Sequence, residues 1–263
     1  MKRVAAACTL LALLVGCSSS GNGGPASSGT AGNNATGSGN ALSGSITVDA
    51  AASLTEAFDT IKSKFEGAHP GTTITITYGA SSDLATQIGQ GAPVDVFASA
   101  SEKNMAELGD QAGRPTDFVT NTLEIATPPG NPGRVRSLAD LADSKVKVAV
   151  CDPAVPCGAV AAQVFKNAKI TVKPKANLAD VKSTLAAVES GEVDAGLVYV
   201  TDVRAAAGKV VGVKIPADVN ASTTYPIAVL KAAKNPTLAH AFVDYVLSAA
   251  GRRVLTADGF GPP

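Results

Sequence analysis

The stretch Asp49-Ala-Ala-Ala-Ser53-Leu-Thr-Glu56-Ala-Phe58 decides how this chain is organised. Residues 45–50 read as a short strand. From Ser53 the apolar residues Leu54, Ala57, Phe58, Ile61 and Phe65 recur at i, i+3, i+4, i+7 and i+11, which is one face of a helix. A strand that runs into a helix N-terminus leaves amide donors free and sets the positive end of the helix dipole at the turn. Such a junction suits an anion. A single one carries little weight, but this chain repeats it.

The second junction is Tyr78-Gly79-Ala80-Ser81-Ser82-Asp83-Leu84, where a β-branched strand at 72–78 with strict period two meets a helix at 82–89. The third is Cys151-Asp152-Pro153-Ala154-Val155-Pro156-Cys157-Gly158, from a strand at 146–150 into a helix at 158–167. The fourth is Asn177-Leu178-Ala179-Asp180-Val181. It opens a helix marked by Leu178, Val181, Leu185 and Val188 and closed by Gly191. The fifth is Tyr199-Val200-Thr201-Asp202, at the end of an apolar strand at 195–200. Further strands are expected at 94–99, 122–126, 210–215 and 227–230, and a helical C-terminus turns Leu238, Phe242, Tyr245 and Val246 inward. Strands alternating with helices predict an α/β fold with mostly parallel pairing, whose ligands bind beyond the carboxyl ends of the strands. The turn cluster at 128–133 and the polar break at 216–224 are the candidate crossings between two lobes. Lobe one is then about 44–126 with 222–263, and lobe two about 127–221.

Taken singly, each junction has a plainer reading. Ser53 and Glu56 fit a capping box. Ser81 or Ser82 fits an ordinary N-cap, and Asn177 and Asp180 fit the same role. The Val181 side chain belongs to an apolar stripe, so only its amide is available for binding. Tyr199 fits a core tyrosine with a satisfied hydroxyl.

The first residues form a targeting segment. Lys2-Arg3 precedes a short apolar run at 4–15, too short for a permanent span. Leu14-Val15-Gly16-Cys17 is similar to a bacterial lipoprotein signal box, which implies removal of 1–16 and lipid on Cys17; otherwise it is an ordinary secretory signal with Cys17 incidental. Residues 17–43 are rich in Gly, Ser and Asn and carry no charge. They read as a flexible tether reaching roughly 30 Å as a random coil. The full chain of 263 residues has a formal charge of zero; without Lys2 and Arg3 it has 20 basic against 22 acidic residues, a net charge of −2. With no basic stripe, nucleic acid is not an expected partner. Besides Cys17, the cysteines left after cleavage are Cys151 and Cys157. In an oxidising compartment they are expected to form a disulfide, the alternative being two free buried thiols.

Together, the order and spacing of several pieces resemble the molybdate-binding proteins of bacterial ABC importers across residues 45–263. These pieces are Ala51-Ala52-Ser53-Leu54-Thr55, Ala80-Ser81-Ser82-Asp83-Leu84, Gly91-Ala92-Pro93-Val94-Asp95-Val96-Phe97, Asp152-Pro153 with Val155-Pro156-Cys157-Gly158, Val181-Lys182-Ser183-Thr184-Leu185, and Gly196-Leu197-Val198-Tyr199. The resemblance implies a two-lobed periplasmic-binding-protein-like fold with two interlobe crossings, holding the oxyanion without a salt bridge. By position it places hydroxyl donors on Ser53, Ser81 and Tyr199, and amide donors on Ser53, Ser81, Cys157 and Val181. It implies molybdate, with tungstate, as ligand and no other cofactor. The partner is an ABC permease, and the monomer is expected at the extracytoplasmic face of the membrane, held by lipid on Cys17. A site made only of donors suits a tetrahedral dianion, which can only accept. Asp83 is expected to point outward from its helix.

The competing reading within the same class is a binder of sulfate or phosphate; a carboxylate or phosphate binder would ordinarily show an Arg clamp, absent from these motifs. A serine hydrolase on Ser53 or Ser81 is the distant reading. It lacks a Gly-x-Ser-x-Gly elbow, and its only candidate histidine bases are His69 and His240.

Overall fold

In the computed structural model, which describes residues 42–263, β1 (Gly44–Ala51) lies between β2 (Thr72–Gly79) and β3 (Val96–Ala98), parallel to both. The expected signal peptide, the lipid site Cys17 and nearly all of the tether lie outside the described residues. Helix α1 (Thr55–Ala68) makes the crossover from β1 to β2, burying Ala57, Phe58, Ile61 and Phe65. Helix α2 (Ser81–Gly89) leads out of β2 towards β3, and a short α3 (Glu102–Ala106) follows β3.

The long strand β4 (Thr116–Thr127) then runs through both halves of the molecule. Residues 116–122 pair antiparallel with β9 (Ser222–Val229), with a register shift between Asp117 and Val119. From Leu123 onward β4 pairs with β7 (Ala195–Tyr199) and β8 (Val211–Val213). The change of partner between Thr122 and Leu123 precedes the turn cluster at 128–133. The second half is completed by β5 (Val148–Cys151), α4 (Pro156–Asn167), β6 (Ala176–Leu178), α5 (Val181–Glu189) and α6 (Val200–Ala205). Strand β5 is parallel to both β6 and β7. After β8 the chain returns to the first half through β9, which pairs antiparallel with β3, and ends in α7 (Pro236–Leu247) and α8 (Ala249–Asp258).

Each half has its own main apolar core, and the first half has a further cluster around Leu84, Val94, Phe97 and Leu108. One main core gathers Ile46, Val48, Phe58, Phe65, Ile227 and Phe242 around α1 and α7. The other gathers Leu123, Ile125, Val148, Val164, Val188 and Leu197, and reaches across to Ala52 and Ala80.

The α/β class stands, with three corrections. Pairing is mixed, not mostly parallel, because β4 and β9 each run against every strand they pair with. The fourth junction begins with a strand. Leu178 ends β6, paired with Cys151, and the helix starts only at Val181. Leu178 falls in the apolar stripe of the helix but lies outside the helix itself, because i+3 spacing does not reveal where backbone dihedrals change. The C-terminal helix is two helices, broken at Ser248, whose hydroxyl accepts from the amides of Ala250 and Gly251 at the start of α8.

Candidate functional site

Each of the five expected residues sits where a strand ends or a helix begins. A 3₁₀ turn, Ala52–Leu54, follows β1, and its middle residue Ser53 is 3% exposed. The capping box does not form. Ser53 Oγ lies 2.8 Å from the Tyr225 hydroxyl, and both Glu56 carboxylate oxygens accept from Lys182 Nζ at 2.8 Å. Ser81 is the first residue of α2, and Ala80 is the N-cap. The plain N-cap reading therefore fails. Ser81 Oγ accepts from the Ala100 amide at 2.9 Å, which leaves its own proton free. Asp83 is exposed, and its carboxylate accepts from Ser82 Oγ at 3.3 Å.

In the second half, Cys157 stands in the first turn of α4, next to Pro156 at the helix start. Its sulfur is bridged to Cys151, the last residue of β5, with Cα atoms 5.7 Å apart. The bridge ties the strand end to the helix start. Gly158 completes the turn, because a Cβ there would lie 2.0 Å from the Asp152 carbonyl oxygen. Val181 is the first residue of α5, with its side chain buried; Asp180 caps that helix by accepting from the Ser183 amide at 2.7 Å. Amides in the first turn of a helix have no intrahelical partner. Those of Ser81, Cys157 and Val181 are thus donors awaiting an acceptor.

Tyr199 ends β7 and is 1% exposed, yet its hydroxyl has no hydrogen-bond partner. A buried polar group left unpaired is costly. The plainer reading of a core tyrosine with a satisfied hydroxyl therefore does not hold. Burial raises the pKa of this phenol well above its ordinary value, so it keeps its proton and remains a donor.

All five residues line one small cleft with a cavity volume of about 20 Å³, together with Ala51, Ala52, Gly79, Ala80, Ala100, Val155, Pro156 and Asp180. Ser53 and Ser81 come from the half built on β1, and Cys157, Val181 and Tyr199 from the half built on β5 and β7. That volume is far below the roughly 300–1,000 Å³ common for organic ligands. Its lining carries no Arg, Lys or His, and its one carboxylate, Asp180, is engaged in capping. His69 packs against Phe65 and His240 is exposed on α7; neither lines the cleft, so neither serine has a histidine base there.

Sequence reasoning missed the groups behind the cleft. Lys182, next to Val181, pairs with Glu56 on α1 at 2.8 Å and with the buried Asp202 at 3.0 Å. The other Asp202 oxygen accepts from the Tyr199 amide at 3.1 Å. Burial raises the Asp202 pKa to about 6, against the opposing pull of Lys182. Burial works against the Lys182 charge too, but Asp202 and Glu56 outweigh it and hold that pKa above the ordinary value. Tyr225 is fully buried on β9. Nothing in local spacing links residues 126 or 172 positions apart, as Lys182 is from Glu56 and Tyr225 from Ser53.

Residues 46–261 match the family of bacterial extracellular solute-binding proteins. The molybdate-binding protein ModA of Mycobacterium tuberculosis is 44% identical over 222 residues, covering 83% of this chain and 85% of that protein. The candidate ABC transporter substrate-binding lipoprotein YvgL of Bacillus subtilis is 34% identical over 225 residues, covering 82% and 85%. Among solved structures, the periplasmic molybdate-binding protein of Azotobacter vinelandii is similar with a TM-score of 0.73 at 21% identity, over 83% of this chain and 99% of that one, a likeness of fold. With a main core in each half, the halves joined through β4 and β9, and a small cleft of donors between strand ends, this chain belongs to the bacterial extracellular solute-binding protein family, has its two-lobed fold, and is a binding protein, not an enzyme.

Proposed function

We propose that this protein captures molybdate, and tungstate as well, between two lobes and delivers it to an ABC permease. The observation that carries the reading is the cleft itself: unpartnered hydroxyl and amide donors around a space with no cationic side chain. Ser53, Ser81 and Tyr199 supply hydroxyls; Ser53, Ser81, Cys157 and Val181 supply amides. A tetrahedral dianion accepts from all of them, and the helix starts stabilise its charge. The 44% identity to the mycobacterial molybdate-binding protein supports the ligand. We assign lobe one to about 44–126 with 222–263 and lobe two to about 127–221, closing on the anion by hinge motion.

Calorimetric titration tests this. Molybdate and tungstate are expected to bind one to one and phosphate not to bind. Clear binding of sulfate or phosphate without molybdate would leave the fold reading standing and sink the ligand assignment.

The protein acts as a monomer tethered to the membrane by lipid on Cys17. The signal box motivates this, and the lipoprotein relative from Bacillus subtilis supports it. Processing of the full chain in cells is expected to be blocked by globomycin, and the mature protein to partition into detergent. A Cys17→Ser variant that stays with the membrane as wild type does would count against the anchor.

A further inference from the structure

Tyr225 does not line the cleft, yet its hydroxyl touches a residue that does. We propose that Tyr225 is a positioning residue. It donates its phenolic proton to Ser53 Oγ and so turns the Ser53 proton toward the bound oxyanion. This rests on the molybdate reading above.

The direction of the bond follows from where each proton can go. Tyr225 is fully buried on β9, and burial raises its pKa, so the phenol stays protonated. A buried O–H needs an acceptor. Ser53 Oγ, at 2.8 Å, is positioned to take it. The neighbouring Asn121 is otherwise engaged, its Oδ1 accepting from the Thr122 amide and its Nδ2 donating to Thr201 Oγ1. The phenol's other polar neighbours, the Tyr199 hydroxyl and Asn121, make no hydrogen bond with it, and a Ser53 that donated instead would face the cleft as an acceptor. With Tyr225 as donor, Ser53 keeps a free proton beside the cleft. Ser81 is set the same way, since the Ala100 amide occupies its acceptor role. Both serine hydroxyls then face the ligand as donors, an arrangement that favours an oxyanion carrying no proton of its own.

A double-mutant cycle on the full folded protein tests the role, with dissociation constants measured by calorimetry for wild type, Tyr225→Phe, Ser53→Ala and the double variant. Phenylalanine keeps the buried ring. Tyr225→Phe is expected to weaken molybdate binding about tenfold, and to have less than about twofold effect once Ser53 is alanine. Competition by hydrogen phosphate should strengthen in Tyr225→Phe, because Ser53 Oγ becomes free to accept. A tenfold loss that persists in the Ser53→Ala background, or no loss at all, overturns the positioning role. If wild type takes sulfate and not molybdate, the ligand assignment fails; the same cycle run with sulfate then decides Tyr225 on its own.

Discussion

Ser81→Ala and Tyr199→Phe are each expected to weaken molybdate binding by about ten- to a hundred-fold while leaving the free protein folded. No cation lines the cleft, so the charge of the dianion is balanced only by dipoles. Each hydroxyl then contributes a charge-assisted bond, and losing one costs about 1.5–3 kcal/mol. That corresponds to the stated loss in affinity. Tyr199→Phe is the cleaner of the two. The hydroxyl it removes has no protein partner and the ring stays in place, so the melting temperature without ligand should not fall. Ser81→Ala also removes the acceptor of the Ala100 amide, so a small loss of stability is expected beside the loss of affinity. Val181→Ala should behave in the opposite way, costing stability more than affinity, because alanine keeps the amide and loses only buried side-chain volume. Titration calorimetry with a melting curve for each free variant checks all three. If Ser81→Ala and Tyr199→Phe both bind molybdate as tightly as wild type, the anion is not held by these residues.

Lys182→Met is expected to destabilise the protein in a pH-dependent way. Lys182 bonds Glu56 on α1 and pairs with Asp202, which is fully buried and also holds the Tyr199 amide. Removing the ammonium strands a buried carboxylate. The cost is put at about 1.5–3 kcal/mol near pH 8, or a melting temperature lower by roughly 3–12 °C. It falls below the range for fully buried pairs because Lys182 is partly solvated and Asp202 can take up a proton. The sign follows from the raised Asp202 pKa, about 6 in the folded protein against about 3.9 in an unfolded chain. A carboxyl that binds its proton more tightly when folded adds stability as pH falls through the folded value toward the unfolded one. Without Lys182 the folded pKa rises further, so the gain on acidification starts at higher pH. The gap between variant and wild type should therefore be widest near pH 8 and narrow toward pH 5. Thermal melts across that range decide it: a gap of constant size would mean Asp202 is not the group left unpaired. The same substitution removes an ion pair that joins α1 of one half to α5 of the other behind the cleft. Faster release of molybdate is therefore expected as well.

Much of this protein was legible from its residues. Period-two alternation at 72–78 and the i, i+3, i+4 spacing from Leu54 to Phe65 identify β2 and α1, since local patterning reflects which face meets a core. The repeated strand-to-helix junctions mark the places where Ser53, Ser81, Cys157, Val181 and Tyr199 stand, because free amides at a helix start are a property of the backbone alone. What those junctions do with their side chains was decided only by tertiary structure. Ser53 and Glu56 are spaced for a capping box, but Tyr225 and Lys182 arrive from other elements and capture both. Tyr199 looks like any core tyrosine until the fold leaves its hydroxyl without a partner beside the cleft. Strand β4 changes partners midway, and β9 returns against it, which no local spacing encodes. A side chain's hydrogen-bond partner is set by which distant elements share its space. Periodicity reports only which face of its own element it occupies.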